Sequence, residues 1–151
     1  MTSPLFPFVY FGTDMNTIKL DTIALARIRI EDLATDVLTL TEGLDADDIA
    51  RSRLTRAALT RRLRQIADIA QDLPEDARAA MPEVAWTQWQ TLGAALRNGT
   101  EDAEMSWRAA NELCTETLQW MRVYREEAAA ARPLRDTPPT STPRALEDVS
   151  R

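Results

Sequence analysis

The sequence lacks histidine altogether and contains one cysteine, Cys114, and these shortages exclude many kinds of catalytic site. Without histidine there is no Ser-His-Asp triad, no imidazole acting as a general acid or base, and no zinc site with a histidine ligand. One cysteine excludes a disulfide within the chain. Because no histidine or lysine lies beside Cys114 to activate its thiol, we interpret it as a core residue. The acids at positions 45, 47 and 48 lack the ligand spacing of a calcium loop, so we expect neither a metal nor a cofactor.

Lysine is almost as scarce, because Lys19 is the only one and is also the first basic residue of the chain. The positively charged start of a signal peptide is therefore missing. The net charge of −6 is unfavourable for contact with nucleic-acid phosphates, so we do not expect the protein as a whole to attract nucleic acid. The apolar run at residues 5–11 is far too short to span a bilayer. We expect a cytoplasmic protein without membrane contact.

Glycine and proline are scarce in the middle of the chain, and this divides the sequence of 151 residues into three parts. Residues 17–132 contain two prolines and three glycines, whereas residues 133–151 contain four prolines among several serines and threonines. This composition predicts an N-terminal extension at 1–16, one folded domain at 17–132 and a disordered tail at 133–151. Met15 directly precedes the folded part and is a candidate translation start.

Apolar residues recur at helical spacing throughout residues 17–132, without the sustained alternation that predicts a strand. The sequence therefore predicts an all-α, antiparallel bundle of four to five helices. These helices are expected at residues 17–41, 47–72, 74–80, 82–98 and 100–131. The first carries a seam of apolar residues for packing against another helix: Ile23, Ala26, Ile30, Leu33, Val37 and Leu40.

Several helix ends are marked by residues that are typical of caps. Gly43 predicts the end of the first long helix, and Asn98-Gly99 predicts the end of the third. The pair Asp45 and Asp48 predicts a capped start for the second. Thr100 is expected to cap the last.

A block of arginines lies on the second predicted helix, with no acid between Ile49 and Ala67. Within it Arg53, Arg56 and Arg64 share one helical face. One hypothesis is that this face contacts phosphates or an acidic partner. The alternative is a solvated face that pairs with three acids of the first helix, Glu31, Asp32 and Asp36.

Three tryptophans, Trp86, Trp89 and Trp107, allow two interpretations. They could stack on nucleic-acid bases. We favour the alternative that they pack in the core, because helical bundles bury their large aromatic residues and no basic residue is interleaved closely with these three.

The order of several short motifs resembles the HepT-like family of HEPN proteins. The segment IADIAQDL at 66–73 is followed by PEDAR at 74–78, MPEVAW at 81–86 and later by Trp107. Members of this family are helical bundles that dimerise and act as ribonuclease toxins. Their antitoxin is a minimal (MNT-type) nucleotidyltransferase, which adds AMP to a tyrosine of the toxin.

The resemblance implies an active-site motif of Arg, His and Tyr, in which Arg binds the scissile phosphate, His assists proton transfer and Tyr accepts the nucleotide. In the preferred register these positions fall on Gly93, Asn98 and Thr100, so all three are replaced. A register shifted by one helical turn gives Arg97, Asn98 and Asp102 instead. Neither register supplies a histidine, and asparagine cannot exchange a proton near neutral pH.

The hypothesis that follows is a catalytically degenerate HepT-like protein that works by binding within a toxin–antitoxin or defence-type complex. The first alternative is an active, metal-independent RNA endonuclease that uses the shifted site. The second is a helical adaptor unrelated to RNA. The expected partners are a second copy of the chain and a nucleotidyltransferase, with RNA a weaker expectation. The small and apolar run at residues 92–96 is the expected dimer surface.

Overall fold

The computed structural model describes residues 14–132, and every regular element within that range is a helix. The elements are α1 (Met15–Thr41), α2 (Ala46–Arg51), α3 (Arg53–Asp72), α4 (Glu75–Ala79), α5 (Trp86–Asn98), α6 (Ala103–Arg108), a π-helical segment (Ala109–Leu113) and α7 (Cys114–Ala130). The prediction of an all-α bundle is confirmed. The predicted tail at 133–151 and most of the predicted extension at 1–16 lie outside the described residues.

Four long helical stretches form the bundle, because α6, the π-helical segment and α7 follow one another without a break. The first long helix, α1, packs against both α3 and α7, and α3 also packs against α5. Their facing side chains form the core, and the seam predicted for α1 takes part in it. Ile30, Leu33 and Val37 are buried, and Ile23 and Ala26 pack against them from the edge.

The predicted helix at 47–72 is wrong as a single element, because the chain breaks it at Ser52. This residue has an extended backbone, and its hydroxyl accepts the Thr55 N–H at 3.2 Å, which caps the start of α3. Serine competes with the helix for backbone hydrogen bonds in this way, so it starts a new helix here rather than continuing the old one. Before the break, Asp45 and Asp48 form the reciprocal capping box that the sequence predicted.

Two further predicted starts are wrong. The helix expected from Pro82 begins at Trp86 instead. Turns precede it, and the Trp86 indole N–H donates to the Met81 carbonyl in them at 2.9 Å. The last long helix begins at Ala103 and is capped by Asp102 rather than by Thr100. The predicted stops are confirmed, because both Gly43 and Gly99 adopt the left-handed backbone conformation that favours glycine.

Candidate functional site

The motif positions of the preferred register lie on α5 and just after it, and the first of them is inside the bundle. Gly93 is buried on the face of α5 that packs against α3. A Cβ atom placed on Gly93 would lie 3.0 Å from Cβ of Ala67, which is closer than side-chain carbons normally approach. Glycine at this position therefore allows the two helices to meet closely, and a phosphate-binding arginine would have to displace α3.

The other two positions of that register lie at the exposed end of α5. Asn98 is the last residue of the helix. Both the backbone N–H and the hydroxyl of Thr100 donate to the Ala95 carbonyl, at 3.0 and 3.4 Å. Thr100 thus closes the C-terminus of α5 and does not cap α6, which corrects the predicted role. Neither side chain provides a base or a cation.

The structure does not bring the shifted set together in one cleft. The Arg97 guanidinium donates to Asp68 of α3 at 3.2 Å, which holds it across the α3–α5 contact. Asp102 accepts the Met105 N–H at 2.7 Å as the cap of α6, and only Asp102 of the three lines the neighbouring cleft. Arg97 and Asn98 lie outside it.

That cleft separates α5 from α6 and the π-helical segment and has a volume of about 480 Å³. Its lining includes the apolar Leu92 and Leu113 and a net negative set of four charged side chains: Asp102, Glu104, Glu112 and Arg108. Glu104 pairs with Arg108 at 3.6 Å. A cleft with this lining suits a ligand that has an apolar body and a positive charge. Among residues 14–132, no three His, Cys, Asp or Glu side chains are arranged to hold a metal ion.

This cleft was not predicted from the sequence, although its polar residues recur at regular spacing. Glu104, Arg108 and Glu112 are spaced four residues apart, as are Thr87 and Thr91 on the opposite wall. Such spacing places side chains on one helical face. The π-helical turn at Ala109–Leu113 forms part of the wall and is not predicted by any sequence rule. In this turn the Cys114 N–H donates to the Ala109 carbonyl.

The tryptophans that were candidates for base stacking are held by the protein itself. Trp89 is fully buried and donates its indole N–H to the Thr117 hydroxyl at 2.9 Å. Trp107 donates to the Leu44 carbonyl at 3.0 Å, and Trp86 donates to Met81 as described. All three are at least partly buried against the core, so the prediction of a core role is confirmed.

Cys114 is also a core residue, as predicted, and is fully buried. Burial disfavours the thiolate and raises the pKa of the Cys114 thiol to about 12. A thiol with this pKa is almost entirely protonated near neutral pH, so Cys114 does not serve as a nucleophile.

The predicted arginine block is exposed on α3, and we call four of its members, Arg53, Arg56, Arg61 and Arg64, the arginine face. Within residues 14–132 no carboxylate lies within 4.0 Å of their guanidinium groups. The pairing expected with α1 occurs only at the neighbouring Arg62, which lies 3.7 Å from Asp36. Glu31 is taken by Arg122 and Arg125 of α7 instead.

Among residues 14–132, the largest concentration of exposed apolar side chains lies on the first half of α1, where the sequence predicted no site. Ile18, Leu25 and Ile28 lie within about 80° of one another around the helix, and 48%, 66% and 51% of their surfaces are exposed. We call these three residues the α1 apolar face. A groove of about 430 Å³ between α1 and the end of α3 adjoins it at Leu25. No helix within 14–132 has the length and apolarity to cross a membrane.

The run at residues 92–96, which was the expected dimer surface, is mostly used inside the chain. Leu92, Gly93 and Leu96 are buried in the bundle, and only Ala94 of the five is exposed. The run therefore leaves too little exposed apolar surface for the dimer contact that was expected there.

Comparisons of the chain with models of protein families, with curated proteins and with solved structures found no match. The resemblance to HepT-like proteins therefore stays a prediction drawn from short motifs. Any function assigned to the chain must be supported by its own residues.

Proposed function

We propose that this chain is a catalytically degenerate HepT-like protein that acts by binding within a toxin–antitoxin or defence-type complex, with an MNT-type nucleotidyltransferase as a partner and a second copy of itself as another. The geometry of the motif positions on α5 and just after it supports the degenerate part of this proposal. Gly93 is buried against Ala67, and Thr100 is bonded to the end of its own helix. Neither provides the cation or the proton acceptor that metal-free RNA cleavage needs.

The observation that carries the binding function is the α1 apolar face. A single exposed leucine or isoleucine needs no explanation, but three on one face of one helix mark a surface that contacts another molecule. The same helix buries its opposite side in the core through Ile30 and Val37. A helix that is apolar on both sides is expected between two packing partners, and residues 14–132 supply only one of them.

Charges beside the α1 apolar face favour a second copy of the chain on that surface. Leu25 lies at its centre, with the exposed Asp21 four residues before it and the exposed Arg29 four residues after it. An antiparallel pair of α1 helices related by a two-fold axis at Leu25 places Asp21 of each copy opposite Arg29 of the other. A parallel pair would instead place like charges together. The proposed dimer is therefore antiparallel and closed.

The dimer is tested by sedimentation of three proteins at about 100 µM, a concentration that detects even weak association. The wild type is expected to dimerise, and the double variant Leu25→Gln/Ile28→Gln is expected to sediment as a monomer. The matched control is Leu20→Gln, because Leu20 is as exposed as the target residues but lies on another side of α1. A monomeric wild type, or a double variant that dimerises normally, would contradict this surface.

Catalysis is tested separately with purified protein and single-stranded and hairpin RNA in the presence of a chelator. We expect no cleavage above the protein-free control, since each missing acid or base function costs about 100- to 10,000-fold in rate. Robust cleavage that disappears in Arg97→Ala would establish the shifted site and the nuclease alternative. Affinity purification of the native protein is expected to recover a nucleotidyltransferase, and recovery of the chain alone would remove that partner from the proposal.

A further inference from the structure

The arginine face concentrates positive charge on a chain whose net charge is −6. Its four guanidinium groups extend from Arg53 to Arg64, which is about 16 Å along the axis of α3. There is no acid on α3 before Asp68, and no described carboxylate pairs with any of the four. Elsewhere in residues 14–132 several arginines pair with acids, as Arg62, Arg97 and Arg125 do, and the remaining unpaired arginines are not gathered on one helix: Arg27, Arg29, Arg78 and Arg132.

The position of these arginines is unfavourable for the isolated helix. Arg53 and Arg56 lie at the N-terminal end of α3, where the helix dipole favours acids, and the first turn contains no acid. Arg53 with Arg56, and Arg61 with Arg64, are also like charges three residues apart, which repel on a helix surface. Solvation alone gives no reason for such an arrangement, whereas a bound anionic partner removes both penalties.

Two features of the surface decide which class of anion it fits. Helix α3 has no aromatic residue, so this face lacks the aromatic rings that serve as stacking platforms for nucleic-acid bases. In addition, Leu54 lies on the same side of α3 as Arg61, two turns before it, with 85% of its surface exposed, the highest value among the large apolar residues of the described chain. An exposed leucine among arginines suits a protein partner that offers both carboxylates and an apolar contact.

We propose that the arginine face, together with Leu54, is a docking surface for an acidic segment of a partner protein, in which carboxylates pair with the arginines and one apolar side chain packs on Leu54. This inference rests on the proposed binding function and adds a second surface to it, separate from the α1 apolar face. Arginine favours bidentate pairing with carboxylates, which gives the contact orientation as well as charge.

The test measures binding of the full-length protein to a fluorescent 20-residue helical peptide that carries glutamates at helical spacing and one central leucine. Two further probes accompany it: the same peptide with serine in place of leucine, and an oligouridine of matched length. The face variant is Arg53→Gln/Arg61→Gln/Arg64→Gln. The control variant, Arg108→Gln/Arg122→Gln/Arg132→Gln, removes the same charge from exposed arginines elsewhere.

We expect the face variant to bind the leucine peptide about 10-fold more weakly than the wild type and the control variant to differ by less than about 2-fold. Leu54→Ser is expected to weaken binding of the leucine peptide by about 3-fold and to leave the serine peptide unchanged. Equal losses in the face and control variants would show attraction by net charge alone and overturn the proposal. Tighter binding of oligouridine than of the peptide would overturn it in favour of nucleic acid.

The α1 double variant Leu25→Gln/Ile28→Gln separates this inference from the proposed dimer. It is expected to bind the leucine peptide as the wild type does, because neither residue lies on α3. If the wild type is a monomer but the face variant still binds the leucine peptide more weakly, the proposed dimer is wrong and the proposed docking surface is supported. If the wild type dimerises but the face variant keeps the peptide, the docking surface alone is wrong.

Discussion

The α1 apolar face and the arginine face of α3 lie on two helices that pack against each other, yet they are built from opposite chemistry. The side chains of Ile18, Leu25 and Ile28 are apolar, so their removal from water is favourable and does not depend on the orientation of a partner. The guanidinium groups of Arg53, Arg61 and Arg64 gain most from oriented anionic partners and stay in contact with solvent. The two proposed binding surfaces therefore lie on neighbouring helices of one small bundle.

The largest effect is expected where both surfaces depend on the same core. Gly93→Arg should destabilise the bundle by about 3 kcal/mol or more, because its side chain would be forced between α5 and Ala67 of α3. Chemical unfolding followed by circular dichroism measures the loss, and both binding activities should decline with it. Ala94→Arg is the matched control, since Ala94 is exposed on the same helix. Its effect should stay within about 0.5 kcal/mol, and equal stabilities for the two variants would show that Gly93 is not a close-packing position.

Salt is expected to separate the two surfaces directly. Raising sodium chloride from about 50 to 500 mM should weaken peptide binding at the arginine face by about 10-fold or more, because exposed charges are screened. Dimerisation through the α1 apolar face should change by less than about 3-fold over the same range. Sedimentation and fluorescence anisotropy in matched buffers measure both. A dimer as sensitive to salt as the peptide complex would mean that Asp21 and Arg29, rather than the apolar residues, hold it together.

Alkaline pH is expected to weaken the core behind both surfaces through Cys114. Its pKa is raised from 9.0 to about 12 in the folded chain, so the unfolded state releases the thiol proton first as the pH rises. The stability that the buried neutral thiol provides is complete below pH 9 and is lost progressively between 9 and about 12. By pH 10 the loss from this group should reach about 1.4 kcal/mol. Urea unfolding of the wild type and of Cys114→Ala at pH 8 and 10 isolates this contribution. If the free energy of unfolding falls by the same amount in both proteins between the two pH values, Cys114 makes no such contribution.

The smallest effects have opposite signs at neighbouring arginines. Arg61→Gln should stabilise the monomer by about 0.3 kcal/mol, because it relieves repulsion by Arg64. Arg62→Gln should destabilise it by a similar amount, about 0.3 kcal/mol, because Arg62 pairs with Asp36 and donates to the Ala58 carbonyl. Thermal unfolding at low ionic strength gives the sign of each change. Stabilisation by neither substitution would show that the arginine face carries no uncompensated charge, and stabilisation by both would show that the pair with Asp36 does not compensate the charge of Arg62.

The sequence predicted those parts of the fold that local chemistry determines. The α1 seam, the glycine stops at Gly43 and Gly99 and the capping box at Asp45 follow from helical spacing and backbone preference, and the structure has all of them. The break at Ser52 was not predicted, because serine is tolerated within helices as well as at their starts, and the helical spacing on both sides of it is unchanged. The π-helical turn has no comparable local signal.

The candidate surfaces divide in the same way. The arginine face was visible as a long stretch without acids, because charge is not hidden by packing. The α1 apolar face was missed because Leu25 and Ile28 have the same spacing as core residues, and their exposure depends on which helices pack beside them. Gly93 was taken for a degraded active-site position, whereas its contact with Ala67 gives it a structural reason to be glycine.

The hydrogen bonds of three tryptophans give the chain its own set of spectroscopic probes. The Trp107 indole N–H is bonded to Leu44 just after α1, that of Trp86 to the turn before α5, and that of Trp89 to Thr117 across the core. Loss of any one bond changes the polarity around a single indole and shifts its emission. Variants that keep one of these indoles, with the remaining tryptophans replaced by phenylalanine, would therefore report on opening of the α1–α2 connection, the α4–α5 turn or the core separately. Binding at either surface could then be followed as a local tightening without attaching a label.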